Sequence, residues 1–384
     1  MISIEEHREQ FSGLANKVYF NFGGQGILPD GAMQAIIDTY TSIGRMGPFS
    51  LQANAEIAQK VALLRQAIAS ELGVSSQDIT LTENVTAGCN IVFWGIDWRP
   101  GDQILLSDCE HPGIIAIVGE IARRFGVETV IYPLQETLNQ GNPLTVIKQY
   151  LQPRTRLLVL SHLLWNTGQL LPLAEIVELS HQHSIPVLAD AAQSVGCLPL
   201  DLSALGIDYY AFTGHKWLCG PAGVGGLYIN PKALLELEPT FIGWRGINLD
   251  SQGKPTGWKP GGLKFEVATS AYPLYEGLRC AIALHQQWGT PQQRYAQICH
   301  LSNYLWENLK QIPGIKCLKD SPPLAGLVSF QLMEENLDLV RSLEKRGFQL
   351  RTLSNPNCIR ACLHYFTLES EIEALLKAIK TEVT

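Results

Sequence analysis

The sequence predicts an α/β fold: a large domain with a mostly parallel, seven-stranded sheet, and a smaller α+β C-terminal domain. Three observations predict it. Short continuous apolar runs alternate with helix-length stretches between residues 79 and 229, the pattern of strands buried on both faces by crossover helices. The 384 residues exceed what one compact core encloses, so two domains are expected. Beyond residue 290 the pattern changes to a few helices interleaved with short strands.

Residues 1–20 read as a short helix followed by a strand start at 18–20. Next comes Asn21-Phe-Gly-Gly-Gln-Gly26, where glycine lets backbone approach a ligand closely. Helices are expected over 31–45 and 54–72. A strand at 79–82 leads into Glu83-Asn-Val-Thr-Ala-Gly-Cys-Asn90, which opens an apolar helix. Thr86 is placed to cap that helix, with Ala87 and Gly88 exposing backbone N–H groups, an arrangement that binds phosphate. Strands at 103–107, 129–132, 156–161 and 186–189 alternate with helices at 113–125, 143–151 and 173–183, and right-handed crossovers follow. Further β runs lie at 209–212 and 224–229. Residues 243–262, rich in Gly, Pro, Trp and Lys, read as one long surface loop carrying Trp244 and Arg245. A helix at 271–287 then links the domains, and short strands at 328–332, 349–351 and 359–363 belong to the second. The expected division is 1–20 packing with the small domain, 21–262 as the large domain, and 263–384 as linking helix and small domain.

The formal charge of −7 argues against nucleic acid or an anionic membrane as partner. No apolar run approaches the ~20 residues that span a bilayer, and the charged start MISIEEHREQ lacks the apolar core of a signal peptide. A cytoplasmic location is expected. The nine cysteines show no paired CxxC spacing, so they read as reduced thiols, with neither a disulfide frame nor a metal site. Cys358, Arg360 and Cys362 fall on alternate positions with His364 next, which fits one small face of a strand, a metal site being the alternative there.

The chemistry concentrates between residues 190 and 217. Asp190 ends the run Val187-Leu-Ala-Asp190, and Lys216 follows the run Tyr209-Tyr-Ala-Phe212 through Thr213, Gly214 and His215. In open α/β sheets the ligand crevice lies at the carboxyl ends of the strands, which puts both residues at one rim. An aspartate and a lysine there suit pyridoxal 5′-phosphate (PLP). The aldehyde needs an amine for a Schiff base, and the pyridine nitrogen needs a carboxylate to stay protonated. Gln193, one helical turn beyond Asp190, is placed to reach the same ligand. His111 and Asn166 follow two further strand ends, and the Asn166 amide can donate to the pyridoxal 3′-oxygen or a substrate carboxylate.

Several stretches carry a resemblance: ADAAQ, AFTGHKW, YFNFGGQG, DCEHPGIIAI, LSHLLWNTGQ, GPAGVGGLYI, FEVATSAYP and CIRACLHY. Together they resemble the class V aminotransferase group of fold-type I PLP enzymes, which includes the cysteine desulfurases. Within it they are most similar to the cyanobacterial cystine C–S lyases. The resemblance implies that Lys216 bears the cofactor, Asp190 faces its ring nitrogen and His111 stacks on the ring. It implies a phosphate anchor of Thr86, Ala87, Gly88, Thr213 and His215, with Thr269 (beside Ser270) reaching across a homodimer. Asn21, Gly24 and Trp244 would border the substrate, and Arg360 would hold its carboxylate, since the planar guanidinium pairs both oxygens. Arg351, nine residues earlier, would serve a second carboxylate, which cystine has.

The implied activity is PLP-dependent α,β-elimination on cystine or cysteine, giving pyruvate, ammonia and cysteine persulfide or sulfide. Its sulfane sulfur would pass to an acceptor protein of iron–sulfur cluster assembly. A desulfurase giving alanine and a protein persulfide, another PLP enzyme of the group, and a non-catalytic scaffold are the alternatives. Against the desulfurase, only TLSNPNCI separates Arg351 from Arg360. Cys358 falls on the strand itself, without the mobility and lowered pKa of a nucleophilic thiol.

Overall fold

The computed structural model describes residues 2–332 and 336–383. A seven-stranded sheet forms its centre, in the order Ile79–Thr82, Gly225–Ile229, Tyr209–Thr213, Val187–Asp190, Thr155–Ser161, Gln103–Ser107, Glu128–Tyr132. Gly225–Ile229 runs antiparallel to both its neighbours, and the other pairs are parallel. These strands are nearly all apolar because helices cover both faces. Leu158 and Leu160 point into one core with the helices Leu51–Leu72, Leu173–His181 and Tyr272–Trp288. Leu157 and Val159 point into the other, against Val85–Gly95 and Pro112–Phe125.

A second, antiparallel sheet has the order Ile315–Cys317, Leu327–Leu332, Asn357–Cys362, Arg351–Ser354. Its core includes Ile359, Ala361 and Leu363 packed with Pro291–Leu309 and Glu369–Val383. The chain's first residues lie against this part. Val18–Tyr19 pairs in parallel with Phe348–Gln349, Phe20 enters the same core, and Arg8 reaches the Phe366 carbonyl and Glu371.

Two expectations need correction. Residues 243–262 are not one loop, since Ile247–Leu249 and Pro255–Trp258 pair as an antiparallel hairpin. Gly and Pro hid it, although backbone pairing at a surface needs little apolar side chain. The expected strand at 349–351 is two, Phe348–Gln349 and Arg351–Ser354, which join different partners on either side of Leu350. Among the described residues no helix is long and apolar enough to cross a membrane.

Candidate active site

Asp190 is the last residue of its strand, and its neighbour by register is Ser161. Its carboxylate is buried and accepts from the Ala192 N–H at 2.9 Å. Burial raises its pKa above the usual carboxylate range, against the Ala192 bond and the charges of Lys216 and His111. Lys216 lies beyond the end of the adjacent strand. Burial brings its amine down to about 8. The Asp190 carboxylate opposes this, and Arg360 and Arg351 push the same way as burial. His111 is likewise lowered by burial, within the fields of Asp190, Lys216, Arg351 and Arg360. Four chain segments far apart in sequence thus bring these five groups within electrostatic reach of one another.

His111 caps the helix Pro112–Phe125. Its Nδ1 accepts the Gly113 N–H at 3.1 Å, so Nε2 carries the proton in the neutral ring. Its ring meets Trp165 edge-on, with centroids 5.4 Å apart. The residue before it, Glu110, escaped the sequence reading. Its buried carboxylate accepts from Ser107 Oγ, from Ser161 N at 3.0 Å and from Ser161 Oγ at 2.8 Å. It therefore ties together the ends of two strands. Burial, with Asp190 adding to it, pushes Glu110 up to about 7 against the pull of the serine hydrogen bonds. The only signal was an acid directly beside a strand-end histidine.

The helix Val85–Gly95 starts at the same rim, but Asn84 caps it, not Thr86. Asn84 Oδ1 accepts from Ala87 N at 2.9 Å and its carbonyl from Gly88 N at 3.2 Å. Ala87 and Gly88 therefore offer no free N–H group, contrary to the sequence reading. The groups that precede the first intrahelical bond are those of Val85 and Thr86. Gly88 has a packing reason instead: a Cβ there would lie 3.1 Å from the Ala211 Cβ, so the helix could not seat as closely on the sheet. Thr213 is beside this helix start, because Gly225 pairs with Thr82 on one side and Thr213 on the other. Its hydroxyl bonds His215 Nδ1 at 2.6 Å.

Arg351 and Arg360 face each other across the hairpin as direct register partners. A turn at Asn355 and Pro356 makes a separation of nine residues into adjacency. Strand alternation then sorts the neighbours. Ile359, Ala361 and Leu363 enter the small core, while Arg360 turns the other way, towards the large sheet. Arg360 as a whole is 1% exposed. Its Nη1 donates to the Trp165 carbonyl at 2.6 Å, whereas Nε and Nη2 have no hydrogen-bond partner. Asn21 Oδ1 is also buried and unpartnered. The glycine-rich stretch runs directly over Arg360, and a Cβ on Gly23 would sit 2.7 Å from Cys362 Sγ and 3.4 Å from Arg360 Cζ. Gly24 is pressed against Asn21 in the same way.

Two other expected ligand residues have hydrogen-bond partners within the chain. Gln193 lies in a turn, not a helix. It donates to the Gly23 carbonyl at 2.9 Å and accepts from Trp217 Nε1 at 2.9 Å. Asn166 donates to the Asn355 carbonyl at 3.1 Å and accepts from Thr167 N at 2.9 Å, linking the large sheet to the hairpin. Trp244 and Thr269 are not with Lys216 in this chain. They line a separate cavity of about 910 Å³ between Leu51–Leu72 and the 243–273 region. Cys358 is fully buried in the strand, and burial pushes its thiol up to about 12.

The model of the aminotransferase class-V family matches residues 18–377. The chain belongs to that family. Two solved structures of the cystine C–S lyase C-DES are 55% identical to it, each with a TM-score of 0.95 over 97% of this chain. They cover 98% and 99% of those chains. One is a lysine-to-alanine mutant with glycine covalently linked to the PLP cofactor; the other is a complex with the reaction product cysteine persulfide. A probable cysteine desulfurase of Mycolicibacterium paratuberculosis is 30% identical over 82% of this chain, which spans about half of that relative (48%). The isopenicillin N epimerase of Streptomyces clavuligerus is 31% identical, covering 82% of each chain.

Proposed function

We propose that the protein is a PLP-dependent carbon–sulfur lyase that eliminates the β-sulfur of cystine, and of cysteine, to give pyruvate, ammonia and cysteine persulfide or sulfide. The observation that carries it is Arg360. A buried guanidinium with two donors unmatched requires an anion, because an unpaired buried charge costs several kcal/mol. The nearby residues fit PLP: a buried carboxylate at Asp190, an amine at Lys216 held near neutrality, and open N–H groups at a helix start beside Thr213 and His215. Bound PLP supplies an aldehyde for a lysine amine and a ring that accepts the electron pair left at Cα.

The protein's own residues do the rest. Lys216 Nζ takes the Cα proton as general base. With the cofactor bound, Asp190 would hold a proton at the ring nitrogen and His111 would lie against the ring. Arg360 fixes the α-carboxylate and Arg351, opposite it, the distal carboxylate of cystine. Asn21 and Gly24 border the substrate, and Gln193 would reach the cofactor. A persulfide departs more readily than hydrosulfide because the lower thiol pKa makes the better leaving group. The identity to C-DES favours elimination over the epimerase's chemistry, although both need a Cα proton removed. Cys358 is unsuited to the desulfurase route, being buried, protonated and paired in the ladder opposite Leu353.

The wider setting belongs to the same proposal. The chain divides near residues 20 and 262, with the two sheets as separate domains. It acts as a homodimer in which Thr269 completes the partner's phosphate site. The strongly exposed Phe49, Leu51, Phe241, Ile242 and Trp244 supply an apolar face for that contact. The free cysteines suit a reducing cytoplasm, and an iron–sulfur assembly protein is the proposed sulfur acceptor. The deciding experiment incubates PLP-loaded protein with cystine and cysteine separately, measuring pyruvate, alanine and sulfane sulfur. Pyruvate with sulfane sulfur from cystine supports the lyase, and stoichiometric alanine overturns it.

A further inference from the structure

The backbone that carries Lys216 is held in an unusual way. It follows the strand Tyr209–Thr213 as irregular chain, and Cys219, three residues on, has a φ of +51°. That left-handed conformation is costly for a residue with a Cβ. The four carbonyls from His215 to Leu218 each accept from a different donor. Gly26 N reaches His215 O at 2.7 Å, and Cys219 N reaches Lys216 O at 3.0 Å. The remaining two are taken by imidazoles: His364 Nε2 is 2.9 Å from Trp217 O, and His285 Nε2 is 3.1 Å from Leu218 O.

Both imidazoles come from elsewhere in the chain. His285 is on the helix Tyr272–Trp288, and His364 is two residues past the Arg360 strand. Their rings stack at 5.3 Å, and His364 also stacks on Trp217 at 5.9 Å. Burial holds both neutral, so each has one N–H, and the carbonyl fixes it on Nε2. His285 Nδ1 is then an acceptor, 2.7 Å from the Tyr365 hydroxyl. That hydroxyl has one proton to give, so it must accept at its other contact, from His7 Nε2 at 2.7 Å. The result is a directed chain, His7 to Tyr365 to His285 to Leu218 O. Cys219 Sγ lies within 4.8 Å of the two histidine rings. With both His285 nitrogens engaged, these rings serve as hydrogen-bond donors rather than as a metal-ligand set.

We propose that His364 and His285 are positioning residues for Lys216: they clamp the two carbonyls after it, so that the lysine amine is held in place by the arginine-bearing strand and the N-terminal segment. Resting on the lyase reading, this ties the carboxylate clamp to the amine, because His364 continues the strand of Arg360. A polypeptide turn with a left-handed residue is kept by such outside bonds or relaxes.

The test uses three variants of the full chain. His364→Leu removes the donor to Trp217 O, His364→Gln keeps an N–H at the position of Nε2, and Tyr365→Phe removes the hydroxyl that holds the His285 ring in place through Nδ1. In PLP-free protein, hydrogen–deuterium exchange over residues 214–220 is expected to rise about tenfold or more in His364→Leu, to stay near wild type in His364→Gln, and to rise in Tyr365→Phe. With PLP bound, His364→Leu is expected to lose about tenfold or more in kcat with KM changed less than about twofold, the range of losses from sub-ångström misplacement. His364→Gln should recover most of it. Unchanged exchange in both His364→Leu and Tyr365→Phe, or equal losses in His364→Leu and His364→Gln, overturns the clamp. Where His364→Leu fails to fold, Tyr365→Phe decides through exchange alone. A wild-type protein that gains no chromophore with PLP would instead overturn the function, and leaves the exchange test intact.

Discussion

Lys216 shows how one environment sets one group's chemistry. Its pKa of about 8 has burial as the main cause, with the cations of Arg360 and Arg351 in the same direction and Asp190 against. Only the neutral amine attacks an aldehyde. In PLP-free protein, the rate of PLP capture should therefore rise with pH and reach half its maximum near pH 8, whereas an ordinary lysine would still be rising past pH 10. Stopped-flow absorbance across pH 6–10 measures it. The arginine pair makes a second residue-level prediction. Arg360→Lys should raise KM about ten- to hundredfold, since a charged hydrogen bond is worth roughly 1.5–3 kcal/mol and ammonium cannot reproduce the fork. Arg351→Ala should weaken cystine about tenfold and cysteine far less, on the same scale. Equal losses on both substrates would remove Arg351 from the distal-carboxylate role.

Elements explain what single residues do not. The hairpin Arg351–Ser354 and Asn357–Cys362 places both arginines side by side, and the same pairing fixes Cys358. A thiol raised to about 12 in a central strand can neither ionise nor swing to an acceptor. Cys358→Ser is expected to keep most cystine-dependent pyruvate formation, and wild-type protein to build up no persulfide during turnover. Intact-mass spectrometry reads this directly: a sulfur adduct on Cys358, lost together with activity in the serine variant, would return the desulfurase mechanism. The helix Val85–Gly95 carries the matching lesson for the anion site. Its start was legible in sequence, but which N–H groups stay open depends on Asn84, one residue earlier than the helix and two before the expected cap.

At the scale of the molecule, three neutral histidines sit where the N-terminal helix, the Tyr272–Trp288 helix and the second sheet meet. Burial is the first cause of each shift, taking His7 to about 4, His364 to about 3, and His285 downward as well. Unfolded histidine titrates near 6.5. Their folded pKa values are depressed, so between pH 6.5 and 4 the unfolded chain binds more protons and stability falls as pH falls. The slope is at most about 1.4 kcal/mol per pH unit per histidine. Urea unfolding between pH 7 and 4.5 should show this loss. His7→Gln should make it shallower, and an unchanged slope would mean that His7 titrates alike in the folded and unfolded chain.

The sequence by itself determined the sheet and which residues stand at its rim. Short continuous apolar runs alternating with helix-length stretches fit parallel strands covered on both faces, and the residues just past parallel strands emerge at one edge. That is why Asp190, Lys216 and His111 are legible from the sequence as rim residues, and why the family motifs that hold them are readable. Tertiary structure alone decided the partners. Whether an amide such as Asn166 or Gln193 meets a ligand or a distant carbonyl depends on which loop lies opposite, here Asn355 and Gly23. The roles of Glu110, His285 and His364 likewise arise from contacts between segments far apart in the chain, for which no local pattern exists. Trp244 and Thr269 mark the limit of a single chain, since they face a cavity away from Lys216. Local periodicity records which face of an element is buried; it does not record what that face is buried against.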